Sequence, residues 1–376
     1  MAIKLLIVDD SIFMRKTLEK LLSTDEIEVV GTAVNGREGV DKVIALEPDI
    51  VTMDIEMPVM NGLEALAEIM KHHPVPVMML STLTAEGAEA TVEALSLGAV
   101  DFITKKSAFT EMHSLRDELI NKIKNITQNS SIRNQLQRQR LLAAQSRPAK
   151  VAPSEEKIAL TIGRRLQEQK RQKQFRQNSA SRRPRPKPFD IKIIAIGIST
   201  GGPVALQQMI KDLPGTIPVP IVIAQHMPPQ FTASLAARLD NFSPIAVSEA
   251  RDGDRAMPGH VYLAPGGRQM TINRHHRLVV SDEPKNELYK PSVNVMINSV
   301  VDIFAGGAVG IIMTGMGRDG FEALTALHNA GGYVIAQDED SCIVPGMPRA
   351  VIQGGIADEI YPLSELAPAI TSLFNI

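Results

Sequence analysis

A regular alternation of short apolar runs with stretches of helical spacing is the feature that most constrains how this chain can fold. The runs in the first third of the chain have the length expected of buried strands. They comprise Lys4–Val8, Glu28–Ala33, Ile50–Met53, Val77–Leu80 and Asp101–Thr104. Helix-like stretches such as Ile12–Leu22 and Gly36–Ala45 separate them. Strands and helices that alternate with short connections form a parallel sheet covered by helices, so the sequence predicts an α/β fold.

The same alternation returns in the last half of the chain. Its strand candidates are Ile191–Ile196, Val219–Ala224, His260–Ala264, Leu278–Ser281, Ala308–Met313 and Gly332–Ala336. A chain of 376 residues is too long for one ordinary domain. We therefore predict two doubly wound domains with mostly parallel sheets, at residues 1–121 and 189–376.

Residues 122–188, between these two regions, differ from both in charge. They hold 18 Lys or Arg against three Glu, which is a net charge of +15, and they are rich in Gln. A segment this polar cannot bury enough apolar surface to fold by itself. We predict a long, flexible, basic linker.

The composition excludes several classes of protein. Aromatic residues make up 4% of the chain and Trp is absent, which argues against the recognition of bases by stacking. Cys342 is the single cysteine, so a disulfide framework and a multi-cysteine metal site are both excluded. The apolar start is too short for a signal peptide, and no run approaches the ~18 apolar residues of a membrane span. These features predict a cytoplasmic protein without membrane insertion.

Acidic residues end two of the predicted strands in the first domain. Asp9 and Asp10 end the first strand, KLLIVDD, and Asp54 ends the third, DIVTMD. The carboxyl ends of parallel strands lie at one edge of the sheet, so the three carboxylates can converge there. Oxygen ligands of this kind suit Mg²⁺, which would also relieve their mutual repulsion.

A hydroxyl and an ammonium group end the next two strands of this domain. Ser81 ends VMMLS, and Lys105 ends DFITK. Together with a metal ion around one carboxylate, these groups offer what the oxygens of a transferred phosphoryl group need.

With these five residues and the stretch MDIEMPVMNGLE, residues 1–120 resemble the receiver domain of two-component response regulators. The resemblance implies a flavodoxin-like fold in which Asp54 accepts a phosphoryl group from a sensor histidine kinase. It also implies that Mg²⁺ is held by Asp54 with Asp9 and Asp10, and that the phosphoryl oxygens contact Ser81 and Lys105.

A glycine-rich turn follows the first predicted strand of the second domain. In IIAIGISTGGPVAL, Ser199 stands between the strand and a helical pattern. Such a serine can cap the helix, the turn can hold a phosphate on backbone N–H groups, or the serine can act as a nucleophile. The turn lacks the Lys of a Walker loop, and no acid follows a strand about 20 residues later as in dinucleotide sites. A phosphate site is therefore disfavoured.

A base and an acid follow other predicted strands of the same domain. His226 follows VPIVIAQ, and Asp319 lies in the glycine-rich turn of IIMTGMGRDG. Ser, His and Asp would then leave three strands at one edge of the sheet, where α/β folds bind their ligands. A nucleophilic serine needs such a base, and the base needs an acid to orient it.

The other candidate residues of this domain are interpreted as structural and not as functional residues. Ser292 directly precedes a helical apolar pattern, which is typical of a helix N-cap. Cys342 has no basic partner placed near it and is interpreted as a small buried hydrophobe. The remaining histidines lack partner spacing and are interpreted as surface or packing residues: His260, His275, His276 and His328.

Residues 190–376 closely resemble the catalytic domain of the chemotaxis protein-glutamate methylesterases, through IGISTGGPVAL, AQHMPPQFTASLAARLD and IIMTGMGRDG. The resemblance implies a Rossmann-like fold and hydrolysis of glutamate methyl esters on methyl-accepting chemoreceptors, with no cofactor for the esterase. It implies that Ser199 is the nucleophile, His226 the base and Asp319 the orienting acid, with a backbone N–H of Met316 in the oxyanion hole. Family members can also deamidate glutamines, and the sequence leaves that second activity open.

Three positions depart from the family patterns without removing a triad member. Lys106 stands where the receiver family usually has Pro, Gln269 where PGG.H is usual, and Asn294 where PSVD is usual. The resemblance further implies that the unphosphorylated receiver packs over the active site and that phosphorylation relieves this block.

Two other functions stay open from the sequence. One is a receiver-controlled nucleic-acid binder that uses the basic linker, although no helix-turn-helix or aromatic platform accompanies the charge. The other is a catalytically silent scaffold that only binds receptors.

Overall fold

The first domain is built on a five-stranded parallel sheet. The computed structural model describes residues 2–105, 112–129 and 183–376. The strands are β1 (Ile3–Val8), β2 (Ile27–Ala33), β3 (Ile50–Asp54), β4 (Val77–Ser81) and β5 (Asp101–Thr104). The helices are α1 (Ile12–Leu22), α2 (Gly36–Leu46), α3 (Gly62–His72), α4 (Ala85–Leu97) and α5 (Met112–Gln128). The sheet order β2-β1-β3-β4-β5 is that of a flavodoxin-like domain.

Local sequence explains where these elements begin and which of them are central. The side chain of Ser11 caps α1 by accepting a hydrogen bond from Met14 N, and Asn61 forms a capping box with Glu64 at α3. Strands β3 and β4 are buried at every residue, as their largely apolar sequences predict for the middle of a parallel sheet. Both strands therefore deliver their last residues to one edge of the sheet.

The second domain is built on a seven-stranded parallel sheet and a separate antiparallel hairpin. Its strands are β6 (Ile193–Ile198), β7 (Ile221–Gln225), β8 (Ala246–Glu249), β9 (His260–Leu263), β10 (Gln269–Ile272), β11 (Leu278–Ser281), β12 (Ala308–Ile312), β13 (Tyr333–Gln337) and β14 (Glu359–Tyr361). Its helices are α6 (Gly202–Ile210), α7 (Phe231–Asn241), α8 (Val293–Phe304), α9 (Phe321–Asn329), α10 (Gly346–Gln353) and α11 (Leu363–Ser372). The large sheet has the order β14-β13-β12-β6-β7-β9-β8, and β10 pairs with β11. Two α/β domains with mostly parallel sheets confirm the predicted fold class.

Helix α5 extends past the predicted end of the first domain. Residue 122, the predicted start of the linker, lies within this helix, and Ile123 and Ile126 pack into the core of the first domain. The predicted linker from 130 to 182 and Lys106 lie outside the described residues. Among the described helices, none combines the length and the apolar character needed to cross a bilayer.

The two domains pack against each other through α4 and β5 of the first and α6 and α7 of the second. Phe102 of β5 stacks on Phe231 of α7, with ring centroids 4.8 Å apart. Ser96 of α4 and Gln207 of α6 exchange hydrogen bonds of 2.8 and 3.0 Å. Buried residues of both domains belong to one continuous apolar cluster, so the interface is an extension of the two cores.

A second contact between the domains lies just beyond the end of α5. The side-chain amide of Asn129 donates to the backbone oxygens of Cys342 and Ile343, the latter over 2.8 Å. The first domain thus binds both the helical face and a loop of the second domain.

Candidate functional sites

Three carboxylates meet at the edge of the first sheet, as the sequence predicts. Asp9, Asp10 and Asp54 each offer an oxygen within 4.8 Å of the others. Asp9 and Asp54 are buried, whereas Asp10 is exposed. Asp9 Oδ2 accepts no hydrogen bond from the described residues, although the ammonium of Lys105 lies 3.2 Å away. Mg²⁺ prefers such carboxylate oxygens, and a buried oxygen without a hydrogen bond is suited to binding a cation, so these residues fit Mg²⁺.

Lys105 lies against the same carboxylates. Its Nζ is 2.6 Å from Asp54 Oδ2, and Asp54 Oδ1 accepts a hydrogen bond of 2.8 Å from Ile55 N. Burial raises the pKa of Asp54 to about 6, and the bond to Lys105 only partly opposes this. Burial alone would lower the pKa of Lys105, but its contacts with Asp54 and Asp9 outweigh burial and raise it.

Ser81 lies at the end of β4, but its hydroxyl is bonded to α4 and not to the carboxylates. Ser81 Oγ accepts from Thr91 Oγ1 over 2.7 Å and is 3.1 Å from the backbone oxygen of Gly87. Both side chains are fully buried. In this conformation the hydroxyl predicted to contact a phosphoryl group is directed to the helix that packs on the second domain.

Ser199 occupies the turn between β6 and α6. The turn closes with a hydrogen bond of 2.8 Å from Gly202 N to Ser199 O. Gly201 has a φ of 76°, which disfavours other residues there, and a Cβ at Gly202 would lie 1.9 Å from Gln225 Oε1. The two glycines therefore permit the tight turn that presents the serine.

His226 and Asp319 lie next to this serine. His226 Nδ1 is 3.1 Å from Ser199 Oγ, and His226 Nε2 is 2.8 Å from Asp319 Oδ2. The Nε2 proton can donate to the carboxylate while Nδ1 accepts the serine proton, so the three side chains form one hydrogen-bonded chain.

Asp319 is held at the N-terminus of α8. Its Oδ2 accepts from Val293 N over 2.7 Å, and its Oδ1 accepts from Asn294 N over 3.0 Å. The Ser292 hydroxyl also donates to Oδ1 over 3.2 Å. Burial works to raise the pKa of Asp319, but the bonds from His226 and the two amides outweigh it and lower this pKa. The carboxylate stays ionised beside the imidazole.

The backbone amides of Thr200 and Met316 have no hydrogen-bond acceptor among the described residues. Thr200 directly follows Ser199, and the family resemblance implies that Met316 lines the oxyanion hole. A Cβ at Gly315 would lie 2.8 Å from the Cβ of Ser199, so the two segments approach closely. Free N–H groups at such a place can donate to a developing oxyanion.

Further residues around the site were not predicted. The ring of Tyr289 stacks on His226, with centroids 4.1 Å apart and planes at 8°. Gln225 donates to the backbone oxygen of Ser199 over 2.9 Å. Neither contact has a local sequence signal, because each depends on how separate elements pack.

Ser292 and Cys342 have the structural positions that the sequence predicts. Ser292 is the N-cap of α8 and accepts a bond from Val295 N, which confirms its interpretation. Cys342 is buried, as predicted, and burial raises the pKa of its thiol well above the usual range.

Comparisons with known proteins identify a family model for each of the two domains. Residues 194–370 match the family model described as CheB methylesterase, and residues 5–116 match the response regulator receiver domain. A protein-glutamate methylesterase/protein-glutamine glutaminase of Symbiobacterium thermophilum is 45% identical over 98% of this chain and 96% of its own length. The chain belongs to this family of hydrolases. The predicted resemblance and enzyme class are thereby confirmed.

Other known proteins are also similar to this chain. Protein-glutamate methylesterase/protein-glutamine glutaminase 1 of Vibrio cholerae is 42% identical over 98% of this chain and 97% of its own length. The crystal structure of the Thermotoga maritima CheB methylesterase catalytic domain is 39% identical, with a TM-score of 0.47. The matched region covers 49% of this chain and 98% of the Thermotoga maritima chain.

Proposed function

We propose that the chain hydrolyses glutamate methyl esters on cytoplasmic regions of methyl-accepting chemoreceptors, and that phosphorylation of its receiver domain controls this activity in chemotactic adaptation. The observation that carries the proposal is the hydrogen-bonded series Ser199, His226 and Asp319, with separations of 3.1 and 2.8 Å. The names of the relatives, which are methylesterases and glutaminases, indicate the substrate class.

In the proposed reaction Ser199 Oγ attacks the ester carbonyl carbon while His226 Nδ1 takes the serine proton. The amides of Met316 and Thr200 donate to the oxyanion, and one such donor typically contributes about 3 kcal/mol to transition-state stabilisation. The imidazolium, stabilised by Asp319, then gives its proton to the departing methoxide, which leaves as methanol. An acyl-enzyme remains.

Water then completes the cycle by the reverse sequence of proton transfers. His226 takes a proton from water, the hydroxide attacks the acyl carbon, and Ser199 leaves with the proton that the imidazolium returns. The product is a glutamate side chain. A glutamine side chain would follow the same path with ammonia as the first leaving group, which supports the second activity.

Regulation is proposed to begin at Asp54. Its carboxylate would attack the phosphorus of a phosphohistidine on a sensor histidine kinase, so that a P–O bond forms and the P–N bond breaks. Asp9 and Asp10 would hold Mg²⁺ together with Asp54, and the ion would neutralise charge on the phosphoryl oxygens. Lys105 would contact one of these oxygens. Ser81 would turn towards another, which would release Thr91 of α4 and weaken the packing of α4 on the catalytic domain.

Methanol release from methylated receptor membranes tests the proposal. The Ser199→Ala variant should lose about 10⁴-fold or more in rate, whereas Ser234→Ala, a serine bonded to its own helix α7, should not change it. A small phosphodonor with Mg²⁺ should activate the wild type and leave Asp54→Ala unchanged. Methanol release by Ser199→Ala at the wild-type rate would overturn the nucleophile, and equal rates with and without phosphodonor would overturn the regulation alone.

A further inference from the structure

Gln269, at the start of β10, is a buried amide close to the candidate triad. Its side chain has no exposed surface. Burying an amide is unfavourable unless its donor and acceptor are both hydrogen-bonded. Gln269 meets this condition with two bonds to a single short segment of the chain.

The two bonds reach the two ends of the segment Tyr289–Ser292. Gln269 Nε2 donates to the backbone oxygen of Tyr289 over 2.8 Å, and Gln269 Oε1 accepts from Ser292 N over 2.8 Å. The segment connects the hairpin to α8 and has no strand or helix of its own. The amide of Gln269, together with the hydrogen bond from Gly267 N to Lys290 O, therefore holds this backbone in the absence of regular strand pairing.

Each end of the segment contacts a different member of the triad. The Tyr289 ring covers one face of the His226 imidazole at 4.1 Å. The Ser292 hydroxyl donates to Asp319 Oδ1, and α8, which Ser292 caps, supplies the two amides that hold the same carboxylate. A shift of this segment would therefore displace two groups together. The Tyr289 ring would move relative to the His226 imidazole, and the hydrogen-bond donors would move relative to the Asp319 carboxylate.

We propose that Gln269 is a positioning residue for ester hydrolysis, which fixes the imidazole of His226 through Tyr289 and the carboxylate of Asp319 through Ser292. This inference rests on the proposed function of the triad. It assigns Gln269 no contact with the substrate, so its effect belongs to the orientation of the base and not to binding.

The chemistry of the position also explains which residues can replace Gln269. A carboxamide carries donors and an acceptor on one planar group, and a neutral imidazole likewise offers one donor and one acceptor. A histidine could therefore make both bonds, whereas a carboxylate offers no donor for Tyr289 O and a thioether offers neither. The departure from PGG.H at this position is then an exchange between two groups that can each donate one of these bonds and accept the other.

Steady-state kinetics of five variants of the full chain, activated by phosphodonor and Mg²⁺, test the inference. Gln269→Met keeps the shape of the side chain, and we expect its kcat to fall about 10- to 100-fold, as for a misplaced catalytic group, with KM within about twofold. Gln269→Glu should behave similarly, and Gln269→His should keep kcat within about threefold. Tyr289→Leu should lower kcat, and Tyr289→Phe, which retains the stacked ring, should not.

Two further measurements distinguish a change in the orientation of His226 from a general loss of folded structure. The low-field proton resonance of the bond between His226 Nε2 and Asp319 should broaden or shift in Gln269→Met and return in Gln269→His. Thermal unfolding identifies variants that fail to fold, and if Gln269→Met is one of them, the two Tyr289 variants decide the question. Equal kcat for Tyr289→Leu and Tyr289→Phe would then overturn the inference.

The outcomes distinguish this inference from the proposed function. If Ser199→Ala is inactive but Gln269→Met folds and retains the wild-type kcat, only the positioning role is overturned. A Gln269→Met effect confined to KM would also overturn it. If Ser199→Ala is active, the triad itself is wrong.

Discussion

Asp54 combines burial with a proposed role that requires an ionised carboxylate. The residue is 3% exposed, and its pKa is raised to about 6, mainly by burial. The ammonium of Lys105 and the amide of Ile55 compensate for only part of the lost hydration. In the proposed phosphorylation, a cation bound by Asp9, Asp10 and Asp54 would compensate for the rest.

This burial predicts a pH dependence of stability. An acid whose pKa is higher in the folded chain than in the unfolded one binds its proton more tightly when folded, so its ionisation destabilises the fold. The wild type should therefore lose stability relative to Asp54→Asn as the pH rises from about 4 to above 6, in EDTA. Melting temperatures of both proteins across this range measure the effect, and a difference that stays constant with pH would contradict it.

At the scale of elements, Asn294 links two helices behind the acid of the triad. It lies in the first turn of α8, and its Oδ1 accepts hydrogen bonds from Gly320 N and Ala323 N at the start of α9, over 3.1 and 3.0 Å. Its side chain thus caps a helix to which it does not belong. Gly320 directly follows Asp319, so this cap also fixes the backbone that carries the acid.

We expect Asn294→Ala to lower the free energy of unfolding by about 1 kcal/mol, as for the loss of a helix cap. Asn294→Asp should retain most of the stability, because a carboxylate accepts the same two bonds at a helix N-terminus. Urea unfolding of the three proteins measures the difference. Equal stability of the Ala and Asp variants would show that the cap contributes nothing.

Much of the fold and the candidate site could be predicted because buried strands end where their apolar runs end. The predicted strands Ile50–Met53 and Val219–Ala224 are observed as Ile50–Asp54 and Ile221–Gln225. The polar residue after such a run lies at the edge of the sheet, which is how His226 could be found. Tyr289 and Gln269 could not be found in this way, since no local pattern encodes the packing of a hairpin against a loop.

At the scale of the whole molecule, the receiver and catalytic domains share part of their hydrophobic cores. Phe102 lies three residues before Lys105 in the chain and stacks on Phe231 of α7. Ser81 is bonded to α4, which packs on the same helix. The carboxylate site is therefore connected to the domain interface in two ways, through Phe102 and through Ser81 with α4.

We expect Phe102→Ala to raise methanol release without phosphodonor by about two- to tenfold, since an aromatic pair contributes about 0.5–1.5 kcal/mol beyond its burial. The activation by phosphodonor should shrink accordingly. Phe189→Ala is the matched control, because Phe189 is 68% exposed. An unchanged basal rate in a folded Phe102→Ala protein would show that this contact does not restrain the enzyme.

The contact of Asn129 with the loop at Cys342 and Ile343 has a consequence for how such proteins diverge. Both acceptors are backbone oxygens, so any side chain at these two positions leaves the bond possible. Substitutions there can accumulate without a matching change at Asn129, and paired variation between related sequences would leave this contact undetected. Insertion or deletion of one residue would displace both oxygens at once. The length of the loop, more than its composition, is therefore the property that selection on this contact would preserve.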